Sequence, residues 1–267
     1  MQHFNFGDRL YHKIVIHQKL NDMKKFYVIL LAMIATVSLS AVNCNVTSSS
    51  SQQDDGAQKK EVRTVDKFDG IDLGASADIK LTQGTPQSIT IEGRAKDVDK
   101  IITETDGSNL KIRTKSGSWN INKVTIYITV ENVKELNVSG SGSIVAQTAI
   151  NGNDLAFHVS GSGSIAMSDL KAVNLSSHIS GSGSIKLSGK GVTKMHEMHI
   201  SGSGDVTVNE LPTEEVSVHI SGSGDCKVNA SNKLVARVSG SGNVYYSGKP
   251  VVDANVSGSG KIKEMNM

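Results

Sequence analysis

Val216-Ser217-Val218-His219-Ile220-Ser221-Gly222-Ser223-Gly224-Asp225-Cys226-Lys227-Val228 decides how this chain folds. One parity of the run reads Val, Val, Ile, Gly, Gly, Cys, Val; the other reads Ser, His, Ser, Ser, Asp, Lys. Period two marks extended chain with one buried face, because successive side chains of a strand point to opposite sides. The glycines fall on the inward parity, where a missing side chain lets the chain bend or lets two backbones approach.

Outward from this run, its centre recurs. Ser-Gly-Ser-Gly begins at Ser139, Ser160, Ser180, Ser201, Ser221, Ser239 and Ser257, at spacings of 21, 20, 21, 20, 18 and 18 residues. These seven copies use 14 of the 26 glycines, so the glycine content is periodic and not low-complexity filler. The residue before each copy is Val138, Val159, Ile179, Ile200, Ile220, Val238 or Val256, and two places after it stands Ile144, Ile165, Ile185, Val206, Cys226, Val244 or Ile262. A unit this short cannot bury its apolar face alone. Stacking successive units about 4.8 Å apart solves the problem, each strand pairing with its counterpart one turn later. A helical repeat would need apolar residues three and four apart, which are missing. The expected fold is all-β: a parallel β-solenoid with about 20 residues per turn.

Composition agrees. Among 267 residues only 11 are aromatic, so the core is built from Val, Ile and Leu, which favour strands. Charge is nearly balanced, 28 basic residues against 26 acidic, which excludes a nucleic-acid protein driven by a large positive field. Three prolines are too few for a Pro-rich stalk.

Residues 61–136 carry weaker alternation, as in Ile79-Lys80-Leu81, Ile89-Thr90-Ile91, Leu110-Lys111-Ile112 and Val124 to Val130, punctuated by Gly84-Thr85-Pro86 and Asp106-Gly107-Ser108-Asn109. This portion is expected to continue the sheet and cap its first turn. At the other end, Lys261, Lys263 and Glu264 would blunt an exposed edge.

The start of the chain reads as an address. Met23-Lys24-Lys25 precedes an uncharged apolar run, Phe26 to Leu39, the pattern of a secretory signal and too short for a comfortable membrane span. Residues 1–22 read as an upstream extension, with synthesis starting at Met23; 23–44 as the signal; 45–61 as a flexible polar tether; and 62–267 as the folded domain. Cys44 resembles the acylated cysteine of bacterial lipoproteins, although that motif wants a small residue where Asn43 stands; ordinary cleavage near Ser40 or Ala41 competes. A lipid at Cys44 would be the chain's membrane contact. The second cysteine, Cys226, sits in a slot that other repeats fill with Val or Ile and is expected as a buried thiol.

Several phrases together carry a family resemblance: Arg63-Thr64-Val65-Asp66-Lys67-Phe68-Asp69-Gly70-Ile71, Ile79-Lys80-Leu81-Thr82-Gln83-Gly84, Ile89-Thr90-Ile91-Glu92-Gly93 and the Ser-Gly-Ser-Gly copies. From about residue 62 to about residue 265 the chain resembles the head GIN domain family of putative autotransporter adhesins, common in Bacteroidetes. That resemblance implies an exported, envelope-associated β-solenoid and brings no catalytic residues.

Stacking would turn equivalent outward residues into columns. The position two before each copy reads Asn137, His158, His178, His199, His219, Arg237, Asn255, so four consecutive histidines form a ladder. A metal stripe is the sharp reading, but a flat ladder aims side chains in parallel whereas a metal site needs convergence. A plain exposed stack, answering modestly to pH, is the bland one. The outward serines make two further columns: Ser160, Ser180, Ser201, Ser221 and their equivalents, then Ser162, Ser182, Ser203, Ser223 and theirs. Their hydroxyls would suit a glycan or a protein partner, unless they serve only local backbone; ice binding is disfavoured because Thr is scarce there. Asp205 and Asp225 would lie on adjacent turns as paired acids, but other turns supply Ser164, Ser184 and Asn243. No nucleophile elbow, phosphate loop or His-Glu-x-x-His occurs. The expectation is a non-catalytic envelope module without cofactor or metal, presenting Ser and His ladders to a glycan or envelope protein. A purely structural module and a glycan-active enzyme are the alternatives.

Overall fold

The computed structural model describes residues 56–117, 121 and 123–265. The upstream extension, the signal, Cys44 and the tether as far as residue 55 lie outside these residues. The described chain is a parallel β-solenoid with roughly 20 residues per turn. Its strands join in one hydrogen-bonded sheet.

Each turn combines a long strand and a short one. Long strands Ile150–Gly161, Leu170–Gly181 and Thr193–Gly202 run parallel, with His158 opposite His178 opposite His199 and Gly161 opposite Gly181 opposite Gly202. Around the corner, short strands Ser143–Ala146, Ser164–Met167 and Ser184–Leu187 stack Ile144 on Ile165 on Ile185. Further along, Asp205–Gly222 and Cys226–Gly240 run the short strand of one turn into the long strand of the next. The shortening of the repeat is absorbed there, away from the tetrapeptides: Val206 faces Cys226, but Val216 faces Leu234, with register shifts between Val208 and Pro212 and between Thr213 and Glu215.

The inward columns are nearly dry. Val159, Ile179, Ile200, Ile220 and Val238 are all buried, and each contributes about 1.5–3 kcal/mol of hydrophobic stabilisation. At the corner, parity and structure part company. The second glycine of every copy but the last is buried, as at Gly163, Gly183, Gly204 and Gly224, whereas the first is exposed or half-buried. From the second copy on, the first glycines are the bend itself, with φ between +119° at Gly161 and +135° at Gly222. A strand's alternation cannot run through a bend, so inward parity there marks a corner and not a core position.

The amino-terminal part is stacked out of chain order. Gly70–Leu73 lies between Asn109–Thr114 and Glu135–Val138, and Asp78–Gln83 lies between Thr125–Val130 and Ser143–Ala146, all parallel. Strands Asn109–Thr114 and Thr125–Val130 therefore form the outer layer, although they follow Gly70–Leu73 and Asp78–Gln83 in sequence. Antiparallel strands seal that layer: Ile101–Asp106 on Asn109–Thr114, Ser88–Arg94 on Thr125–Val130, and Gln58–Arg63 on Ser88–Arg94. Among the described residues the first strand, Gln58–Arg63, starts inside the stretch expected as tether. At the carboxyl-terminal edge every residue of Val251–Gly258 is exposed, and Lys261, Lys263 and Glu264 line the last short strand.

Cys226 is fully buried, 3.4 Å from the Met198 sulfur. Burial, reinforced by Asp205 and Asp225, pushes its thiol pKa well up. In a Cys44→Ser background, a thiol reagent should therefore leave the native protein unlabelled and react only with denaturant present. Stoichiometric native labelling would contradict this packing.

Candidate functional site

The register of the long strands brings the expected ladder together. Ring centroids of His158, His178, His199 and His219 follow at 5.0, 4.8 and 4.9 Å, with interplanar angles of 12°, 5° and 9°. Arg237 and then Asn255 continue the column. Beside it runs the first serine column, Ser160, Ser180, Ser201, Ser221, Ser239 and Ser257. Between the two lies an open groove of about 540 Å³ along the solenoid axis.

The second serine column, Ser162, Ser182, Ser203 and Ser223, is exposed but lies beyond the corner and does not line this groove. The bend at the first glycine separates the two columns, which sequence parity had set side by side. Among the described residues the hydroxyls of both columns make no protein hydrogen bond, so local backbone does not consume them.

Two carboxylates stand against the histidines, and Glu197 acts on His178 and His219 from the turn between them as well as on His199. Glu197 lies 2.9 Å from His199 Nε2, and Glu135 lies 3.7 Å from His158 Nε2. His178 and His219 stand instead beside Ser176 and Ser217, and Ser176 Oγ is 3.2 Å from His178 Nδ1. Arg237 donates to the Asp253 carboxylate at 2.7 Å. Partial burial, then the neighbouring His158 and His199, hold the His178 pKa below the usual imidazole value. The His199 hydrogen bond lowers that of Glu197. The rings lie parallel, and no group of three or more His, Cys, Asp or Glu converges on a metal position among the described residues.

Asp205 and Asp225 hold corners. Asp205 Oδ1 accepts the backbone N–H of Asp225 at 2.9 Å, and Asp225 Oδ1 accepts both the backbone N–H and the side-chain amide of Asn243, at 2.9 and 2.8 Å. Each carboxylate ties its turn to the next.

Sequence reasoning passed over one polar pair. His196 and Ser177 are fully buried, with Ser177 Oγ 2.8 Å from His196 Nε2, while His196 Nδ1 has no partner among the described residues. Burial drives the His196 pKa down to about 3. The signal was present: His196 shares the inward parity of Met198 and Ile200.

A parallel β-solenoid stacked from like turns of roughly 20 residues belongs to the class of repeat proteins. Within that class, the chain belongs to the family described as putative auto-transporter adhesin, head GIN domain, whose model matches residues 67–250. No curated protein matches it. Among solved structures, a putative adhesin from Bacteroides fragilis is 24% identical, with a TM-score of 0.73 over 78% of this chain and 97% of that one. A putative lipid binding protein from Parabacteroides distasonis is also 24% identical, with a TM-score of 0.66 over 79% of this chain and 98% of that one. A putative adhesin from Parabacteroides merdae is 21% identical, with a TM-score of 0.65 over 79% and 97%. At these identities the likeness concerns the fold.

Proposed function

We propose that this chain is an exported, non-catalytic adhesive module of the cell envelope that binds an extended glycan in the groove between its imidazole and first serine columns. The observation that carries this reading is periodic. Equivalent side chains recur every 4.8–5.0 Å along the groove, close to the advance of one sugar ring in an extended polysaccharide. An extended peptide advances about 3.3 Å per residue, so only every third residue would meet the groove in register, at every second turn. Unpartnered serine hydroxyls and ring edges give each sugar a donor and an acceptor.

The test is a glycan array built from envelope polysaccharides. Ser180→Leu/Ser201→Leu, which fills the groove from exposed positions, should abolish binding. Ser182→Leu/Ser203→Leu, around the corner, should leave it intact. Equal binding by both variants would remove the groove from the function.

A further inference from the structure

We infer that the far end of the coil is a docking surface for a second copy of this chain, the two stacking tail to tail about a twofold axis. This does not depend on what the groove holds.

The two ends of the stack are finished differently. At the head, antiparallel strands close it, and the outermost, Gln58–Arg63, carries Lys59, Lys60, Glu61 and Arg63. Charged side chains on an edge strand discourage another strand from pairing there. At the tail, Val251–Gly258 pairs with the strand below it, and no strand covers its other side among the described residues. Its inward residues continue the core: Val252 stacks on Leu234, Ala254 on Ala236 and Val256 on Val238. The lower member of each pair is buried, whereas Val252 and Val256 are both 38% exposed. The coil thus opens on a mouth of core side chains beside a free strand edge.

A second copy fits this edge because the strand reads nearly the same in both directions about Ala254. Turned by the twofold, Val252 meets the partner's Val256, Ala254 meets its own counterpart, and Asp253 meets the partner's Asn255. Residues opposed in an antiparallel pair point to the same side. The apolar ones therefore close the core mouth, while each carboxylate faces an amide donor. Arg237 holds Asp253 Oδ2, which leaves Oδ1 for that amide.

Neighbouring registers are worse. Centring the axis on Asp253 sets two carboxylates face to face, which is destabilising, and puts Pro250, without an N–H, into the ladder. Centring it on Asn255 sets Val252 against Gly258, which offers no side chain to pack on. A one-residue slip turns every apolar group to the wrong side. A head-to-tail stack would ask the two valines to pack on the lysines of the head strand. The twofold pairing consumes both tails and closes at two copies. Both grooves then open on one face, their columns displaced by two residues, about 7 Å.

The full chain, in a Cys44→Ser background so that no lipid drives association, should sediment as a dimer at about 100 µM. Val252→Glu/Val256→Glu sets like charges opposite each other and should weaken the dimer on the order of a hundredfold. Val252→Lys/Val256→Glu sets opposite charges there and should restore it, with the restored dimer weakening in salt. Both variants alter the same two exposed positions, so the second controls for folding of the first. The inference is overturned if the parent is monomeric at that concentration, or if the like-charged variant remains dimeric. It is also overturned if the opposite-charged variant is no tighter than the like-charged one. A monomeric parent whose edge amides resist hydrogen exchange would assign the edge to another segment of this chain instead.

Discussion

Gly222→Ala should destabilise the coil by about 3 kcal/mol or more, seen as a large fall in the denaturation midpoint. Two effects combine at this corner. With φ at +135°, Gly222 occupies backbone space that a Cβ makes costly, and that Cβ would lie 2.2 Å from the carbonyl oxygen of Gly202. The obstacle is backbone of the adjacent turn, which cannot rotate away as a side-chain tip can. Relief would require the two turns to separate and break their ladder hydrogen bonds. The same substitution elsewhere separates the two effects. At Gly107 φ is +62° and nothing lies within 4 Å of the added Cβ, so only the conformational cost of about 1 kcal/mol remains. At Gly84 the nearest atom is a Thr129 methyl at 3.8 Å and φ is ordinary, so Ala should be neutral or slightly stabilising. If all three variants unfold at the same denaturant concentration, close stacking of glycine corners does not hold the turns together.

The second large effect is a dependence on acid. A histidine whose ionisation is pushed down on folding binds a proton more readily in the unfolded chain. The stability tied to His196 is therefore whole above about pH 6.5, the ordinary imidazole value, and drains as pH falls toward its folded pKa of about 3. Within that window the loss approaches about 1.4 kcal/mol per pH unit, on the order of 4 kcal/mol in all. The orphaned Nδ1 leaves a charged ring no second acceptor. In the stacked columns, Leu175 and Val216 flank His196, while Phe157 and Met198 flank Ser177. Ser177→Val/His196→Leu thus adds residues of the kind already above and below, and removes a buried polar pair whose loss as a unit is close to neutral. Its stability should fall much less than the parent's between pH 6.5 and about 4.5, above the range of ordinary carboxylates. Parallel curves for parent and variant would mean that His196 finds a proton acceptor inside the fold.

Much of this architecture was legible because the register is written in identical tetrapeptides. Once Ser-Gly-Ser-Gly recurs at one-turn intervals, stacking His158 on His178 on His199 follows from strand pairing alone. The cap was not legible in the same way. Its alternation at Ile79 and Leu110 identifies strands, but nothing local says that Asn109–Thr114 and Thr125–Val130 lie outside Gly70–Leu73 and Asp78–Gln83, since that order is decided by which exposed edge remains to be covered. The corner misled for a related reason. Parity assumes a straight strand, and a chain that bends at Gly161 carries Ser162 onto a different face from Ser160. The buried pair escaped because seven of the eight histidines had already been read as tail or ladder, and polarity is a poor guide to burial in a core this narrow.

The out-of-sequence cap has a consequence for how such a molecule varies. From Glu135 onward every layer touches only the ones directly above and below it, while the difficult long-range closure is confined to the first few strands. Duplicating one twenty-residue segment in the gene would lift the far end by a single storey and add one rung to the groove. Neither terminus would need redesign. Height is the quantity such a lineage can change most freely, and with it the length of the groove.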